Sequence, residues 1–272
     1  MVPPMQTLGV DLASQPDNTG HCVLRWQGQE ARVEGLGLGL DDAGILERAR
    51  AAGAVGIDAP FGWPRAFVEL LAGSDGGEGP VKEPTREAGS PEAHPAPTLL
   101  GQEDWTPALR DALRFRATDR VVRERLGRWP LSVSTDRIAL CALRCEGILR
   151  RLELTDRSGA SGRIFETYPA LALRVWGLAH RSYKGAEHRE RRRESLAALA
   201  DRAPWLRLTP GEREALVADH DVFDALVAAL IARAAALGRV EPVPAALRPA
   251  ARREGWIQLP LPTALDALAQ PA

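Results

Sequence analysis

The chain opens on short runs in which apolar and polar residues alternate. Strand character appears at residues 7–14, 22–27 and 31–38, and Asp17-Asn18-Thr19-Gly20 supplies turn chemistry between the first two. Three short strands at that spacing predict an antiparallel meander. Asp41 and Asp42 then offer an N-cap, Ile45, Leu46, Ala49 and Ala52 fall on one helical face, and Gly53 is placed to end the helix. The next run, Ala54-Val55-Gly56-Ile57-Asp58, is apolar up to its last residue and stops at Ala59-Pro60. A buried central strand that ends at the sheet's edge reads this way.

Residues 73–98 are rich in Gly, Pro, Glu and Ser with almost no large apolar side chains, which predicts a flexible loop, since such a segment cannot bury enough surface to offset its ordering entropy. Helical patterning resumes at 106–128 and again at 135–152, where Ile138, Leu140, Cys141, Leu143, Ile148 and Leu149 hold the apolar positions. We read residues 61–160 as a helical insertion within a single domain of residues 1–272. A further strand, Arg163-Ile164-Phe165-Glu166-Thr167, leads into Tyr168-Pro169, and Pro169 suits the first turn of a helix carrying Leu171, Leu173 and Trp176. Helical patterns also cover 186–203 and 219–237, the latter ending at Gly238, and Trp256-Ile257-Gln258-Leu259 reads as a short terminal strand. The predicted architecture is α/β: a mixed sheet of three antiparallel strands followed by parallel ones, with flanking helices.

A chain of 272 residues with 45% hydrophobic content can build a sizeable core. It has no apolar run of membrane-spanning length, and Met1 to Met5 lacks the basic head and apolar stretch of a secretion signal. A soluble, cytoplasmic protein is the expectation. Cys22, Cys141 and Cys145 cannot all pair and form no Cys-x-x-Cys, so neither a disulfide framework nor a thiolate zinc site is expected. The formal net charge of -1 argues against bulk electrostatic binding of nucleic acid. Local charge is different: Arg110, Arg114, Arg116, Arg120, Arg123, Arg125 and Arg128 form one run, and Arg181, Lys184, Arg189, Arg191, Arg192 and Arg193 another. Either run could cradle phosphate or be a solvated helix face.

The informative pattern is where acids interrupt apolar elements. Asp11 lies inside Leu8-Gly9-Val10-Asp11-Leu12-Ala13, Asp58 ends a buried strand, Glu166 ends another, and Asp221 and Asp224 open an Ala/Leu/Val-rich helix. A lone carboxylate there is costly unless something positive compensates, and a metal ion does so. Singly, each has a structural alternative: turn bonding for Asp11, capping for Asp58, an arginine partner for Glu166, the helix dipole for Asp221. Asp221 and Asp224 share a helical face, and the small Ala225, Ala228 and Ala232 near it would let the helix approach the sheet closely. His220 is expected to point elsewhere.

Together, Gly9-Val10-Asp11-Leu12-Ala13, Gly56-Ile57-Asp58-Ala59-Pro60-Phe61-Gly62, Arg116-Ala117-Thr118-Asp119, Glu166-Thr167-Tyr168-Pro169, Tyr183-Lys184, Asp221-Val222-Phe223-Asp224-Ala225-Leu226 and Glu254-Gly255-Trp256-Ile257 resemble domain-of-unknown-function family 429, predicted nucleases with a ribonuclease-H-like fold. The late-helix motif is also similar to that of RuvC-type junction resolvases. The resemblance implies that Asp11, Asp58, Asp221 and Asp224 bind metal, with Glu166 as an addition, and that all five are catalytic. Two Mg²⁺ or Mn²⁺ ions roughly 4 Å apart would then serve phosphodiester hydrolysis, with nucleic acid as the partner. Arg116 and Lys184 are candidate phosphate contacts, Asp119 would orient Arg116, and Tyr168 would stack or hydrogen-bond near the site. Arg116 and Asp119 read equally well as an internal ion pair. Two rival readings stand beside the nuclease. One is a non-catalytic module that binds nucleic acid or protein. The other is a phosphotransferase of the actin and sugar-kinase type, against which the absence of glycine-rich loops after Asp11 and Asp58 argues.

Overall fold

The structure, a computed structural model, describes residues 5–73 and 105–270. Apart from Gly73, the loop expected at 73–98 lies outside the described residues. Three strands, β1 (Met5–Asp11), β2 (Gly20–Gln27) and β3 (Glu30–Gly37), form the antiparallel meander. Helix α1 (Asp42–Ala51) follows, its first turn capped by Asp41, which accepts from Gly44 N at 2.8 Å. The chain then enters β4 (Ala54–Asp58), which pairs parallel with β1. Between β4 and β5 (Ile164–Glu166) lie α2 (Arg65–Gly73), α3 (Pro107–Arg114), α4 (Ala117–Leu126) and α5 (Ala139–Arg151). After β5 come α6 (Pro169–Val175), α7 (Arg189–Arg202), β6 (Leu206–Arg207), α8 (Pro210–Ala218), α9 (His220–Ala236) and α10 (Arg248–Glu254).

The six strands make one mixed sheet in the order β5-β4-β1-β2-β3-β6. Helices cover both of its faces. On one, Leu8, Val10, Val55 and Ile57 pack with Ile45 and Leu46 of α1 and Cys145, Ile148 and Leu149 of α5. On the other, α9 lies across β1, β2 and β4. Apart from Asp224 and Arg233 this helix is apolar from Val222 to Ala234, and every residue of that span is buried, as a helix sandwiched between a sheet and further helices must be. Its approach is close because the strands beneath it carry glycine. A Cβ on Gly9 would fall 2.0 Å from the Ala225 carbonyl oxygen, and one on Gly56 2.4 Å from that of Ala228. Both positions therefore need the smallest residue for steric reasons.

Several expectations are corrected. The helical stretch at 106–128 breaks into α3 and α4, because Phe115 is extended (φ -122°, ψ 129°) and Asp119 turns back to accept from the Arg116 amide at 2.9 Å, starting a new helix. The stretch at 135–152 becomes helix only from Ala139. The terminal strand expected at Trp256 to Leu259 is a single bridge between Ile257 and Glu166, with Gln258 N donating to Glu166 O at 2.9 Å. Unforeseen were β6 and α8. The latter starts with a capping box in which Thr209 accepts from Glu212 N and Glu212 from Thr209 N, a signal legible in Thr209-Pro210-Gly211-Glu212.

Candidate metal centre

Parallel pairing sets Asp11 directly beside Asp58, since the β1–β4 register ends on that pair. Asp224 arrives from above on α9. Asp11, Asp58 and Asp224 each present an oxygen within 4.8 Å of the others. Asp224 is fully buried: its Oδ1 accepts from the Tyr183 hydroxyl at 2.8 Å, and the Lys184 ammonium lies 2.6 Å from Oδ2.

The electrostatics follow from three acids brought together out of water. Burial, then the neighbouring charges of Asp224 and Asp58, hold the Asp11 carboxyl well above the ordinary carboxylate range. Burial likewise pushes Asp58 up to about 7, with Lys184 opposing and Asp224 adding to the rise. Lys184 is itself pushed upward, because the charges of Asp224, Asp11 and Asp58 outweigh the cost of burying it. The donor set is hard carboxylate oxygen, and the crowding of Asp11, Asp58 and Asp224 is what a cation would relieve.

Asp221 stands one turn before Asp224 and is partly exposed. Burial raises its carboxyl above the usual range, with the neighbouring His220 and Asp11 opposing the rise. It also belongs to a second cluster with a metal-ligand arrangement, Asp219, His220 and Asp221. Asp219 is the N-cap of α9, accepting from Asp221 N at 2.8 Å. His220, expected to point elsewhere, sets Nε2 3.1 Å from Asp221 Oδ1. The two clusters are joined through α9, which carries both Asp221 and Asp224.

Glu166 is placed differently. Both its oxygens are engaged by Arg116, Oε1 at 2.8 Å and Oε2 at 3.0 Å, and Oε2 also accepts from Phe61 N at 3.2 Å. Arg116 in turn grips Asp119 through Nη2 at 2.9 Å and donates to the Glu254 carbonyl at 3.1 Å. All three charged side chains are at most 3% exposed. Arg116 and Asp119 thus form the internal ion pair, and with Glu166 they fix the chain just after Asp58. Glu254 completes the lattice by accepting from Ala117 N and Arg65 N, a role not assigned from sequence. Tyr168, at the N-cap of α6, is near the acids: burial and then the charge of Asp58 push its hydroxyl upward.

Two arginines, Arg192 of the second basic run and Arg144, shape the surroundings. Arg192 is 0% exposed, contrary to a solvated helix face, and donates to four carbonyls: Tyr183 at 2.5 Å, Gly185 at 2.7 Å, Val217 at 2.9 Å and Ala218 at 3.2 Å. It ties the Tyr183–Gly185 segment to the end of α8. Arg144 on α5 donates to Ala13 O and Thr19 Oγ1, both at 2.7 Å, and so holds the turn that follows Asp11. Beside it, the Cys141 thiol donates to Leu12 O at 2.7 Å and is pushed up to about 12 by burial and the charges of Asp58 and Asp11. No periodicity marks Arg192 or Arg144 as special, because each acts on backbone outside its own helix.

Among the described residues no helix is long and apolar enough to cross a membrane. The model of a family described as "Protein of unknown function (DUF429)" matches residues 9–248. Neither a curated protein nor a solved structure matches the chain.

Proposed function

The chain belongs to the DUF429 family, and from this premise and the site's geometry we propose that it is a divalent-metal-dependent nuclease on a ribonuclease-H-like fold. The observation that carries the reading is the convergence of Asp11, Asp58 and Asp224, from two parallel strands and a buried helix, to within 4.8 Å. Buried acids that repel one another store a preference for a multivalent cation. Asp11, Asp58 and Asp224 would hold Mg²⁺ or Mn²⁺, with Asp221 next to Asp11 as the further ligand. Such ions, when bound, activate water and stabilise the leaving oxygen at phosphorus.

The chain's own groups serve the rest. Tyr183 holds one oxygen of Asp224 and leaves the other to Lys184. The ion lattice of Arg116, Asp119 and Glu166 pins Phe61 N and so the turn after Asp58. Lys184, with a half-exposed side chain, and Tyr168 border the acids where a phosphodiester would lie. Nucleic acid is accordingly the proposed substrate.

The test is calorimetric titration of Mn²⁺ into the protein and its Asp11→Asn variant, with cleavage assays on mixed DNA and RNA substrates. Saturable binding lost in the variant, with metal-dependent cleavage, supports the nuclease. Metal binding without cleavage of any substrate, alongside retained nucleic-acid affinity in Asp11→Asn, would replace it with a binding module.

A further inference from the structure

The geometry points to Lys184 as an exchangeable counter-ion: we propose that its ammonium neutralises Asp224 in the metal-free protein and leaves it when a divalent cation enters. This inference rests on the metal reading above and adds to it a residue that sets metal affinity.

Asp224 is fully buried, and a buried carboxylate needs a partner. Its two oxygens are divided between different kinds of group. Tyr183 donates a hydrogen bond to Oδ1, whereas Oδ2 faces the Lys184 ammonium, 2.6 Å away. The ammonium on Asp224 lies beside Asp11 and Asp58 as well, since all three acids present oxygens within 4.8 Å of one another. It therefore stands among the same three carboxylates that would ligate a metal ion. A divalent ion contacting Oδ2 would meet a like charge there, and repulsion at such short range is strong.

The choice of lysine is itself informative. Of 35 basic side chains, only Lys82 and Lys184 are lysine; the rest are arginine. A chain that uses arginine almost everywhere keeps an ammonium at this position. Arginine's planar fork would lock bidentately onto a carboxylate, while an ammonium is a compact point charge on a flexible stem. The Lys184 side chain is 50% exposed, so rotation of its flexible stem can carry the ammonium from the acids to water. The backbone need not follow. Arg192 holds the carbonyls of Tyr183 and Gly185 on either side, which makes the exchange a side-chain motion and leaves Tyr183 on Oδ1.

Titrating Mn²⁺ to millimolar concentration into the wild type, Lys184→Met and Lys184→Gln tests this, with melting temperatures measured with and without Mn²⁺. Binding at least about tenfold tighter in both neutral variants is expected, together with a larger rise in melting temperature on adding Mn²⁺. Equal or weaker binding in folded variants would overturn the exchange while leaving the metal centre in place. No Mn²⁺ binding by any of the three proteins would remove both.

Discussion

Asp11 and Asp58 are register partners at the ends of adjacent parallel strands, so their carboxyls share one edge of the sheet. Both lie above the ordinary carboxylate range, Asp58 at about 7. An acid raised on folding holds its proton in the native state where the unfolded chain has lost it. Stability is then highest below the unfolded value near 3.8 and falls as pH rises toward the folded value. The metal-free protein should therefore lose at least about 1.4 kcal/mol, the equivalent of one pKa unit, between pH 4.5 and pH 8. Urea unfolding in chelator across that range measures it, and in Asp58→Asn the slope should flatten. A curve that is level or rises with pH would show that the two acids are compensated in some other way.

Metal affinity should run the opposite way with pH. A cation takes the ionised carboxylates, so Mn²⁺ binding should tighten from pH 5.5 to pH 7.5 and release protons. Titrations in two buffers of different ionisation enthalpy would report that release as a buffer-dependent heat. A pH-independent affinity would mean that Asp11 and Asp58 are already ionised.

Glu166→Gln should separate the ion lattice from the metal centre. Removing one member of a buried pair leaves Arg116 undercompensated, at a cost of about 3 kcal/mol or more. Because both Glu166 oxygens already serve Arg116, and one also serves Phe61 N, Mn²⁺ affinity should change by less than about threefold, or ~0.7 kcal/mol. Loss of metal binding in a folded Glu166→Gln protein would return Glu166 to the ligand set.

Gly9→Ala tests how the helix sits on the sheet. The added methyl would meet Ala225 O at 2.0 Å and Ala229 N at 2.4 Å, both backbone, so α9 must move outward. A loss of about 3 kcal/mol is expected, with weaker Mn²⁺ binding as Asp224 withdraws from Asp11 and Asp58. The control is Gly147→Ala on α5, where a methyl meets nothing within 4 Å and should stabilise by up to about 1 kcal/mol. Thermal unfolding of the two variants, compared with the wild type, gives both signs.

Asp224→Asn should keep the packing of α9 and remove the charge that Lys184 and Tyr183 share. A stability cost of about 1–3 kcal/mol and at least tenfold weaker Mn²⁺ binding are expected. Unchanged calorimetric affinity would exclude Asp224 as a ligand.

Much of the fold was legible along the chain because it was written in local signals. The meander, the Asp41 cap, the strand ending at Asp58, Pro169 opening α6 and the small residues of α9 all follow from period, capping chemistry and side-chain size. Asp11, Asp58 and Asp224 stood out because acids at the ends of apolar strands and inside a buried helix are costly. What periodicity could not reveal were the partners. Glu166 and Asp58 look alike in sequence, each closing an apolar strand, yet one meets Arg116 from α4 and the other meets Asp11 and Asp224. Arg192 and Arg191 look alike on α7, yet Arg192 is buried against four carbonyls and Arg191 pairs with Glu194 at the surface. By itself the sequence determined which acids would be expensive to bury, since that depends on each residue's nearest neighbours along the chain. Only the tertiary structure decided which of them face one another and which face an arginine, because charges interact through space and the partners lie tens to hundreds of residues apart.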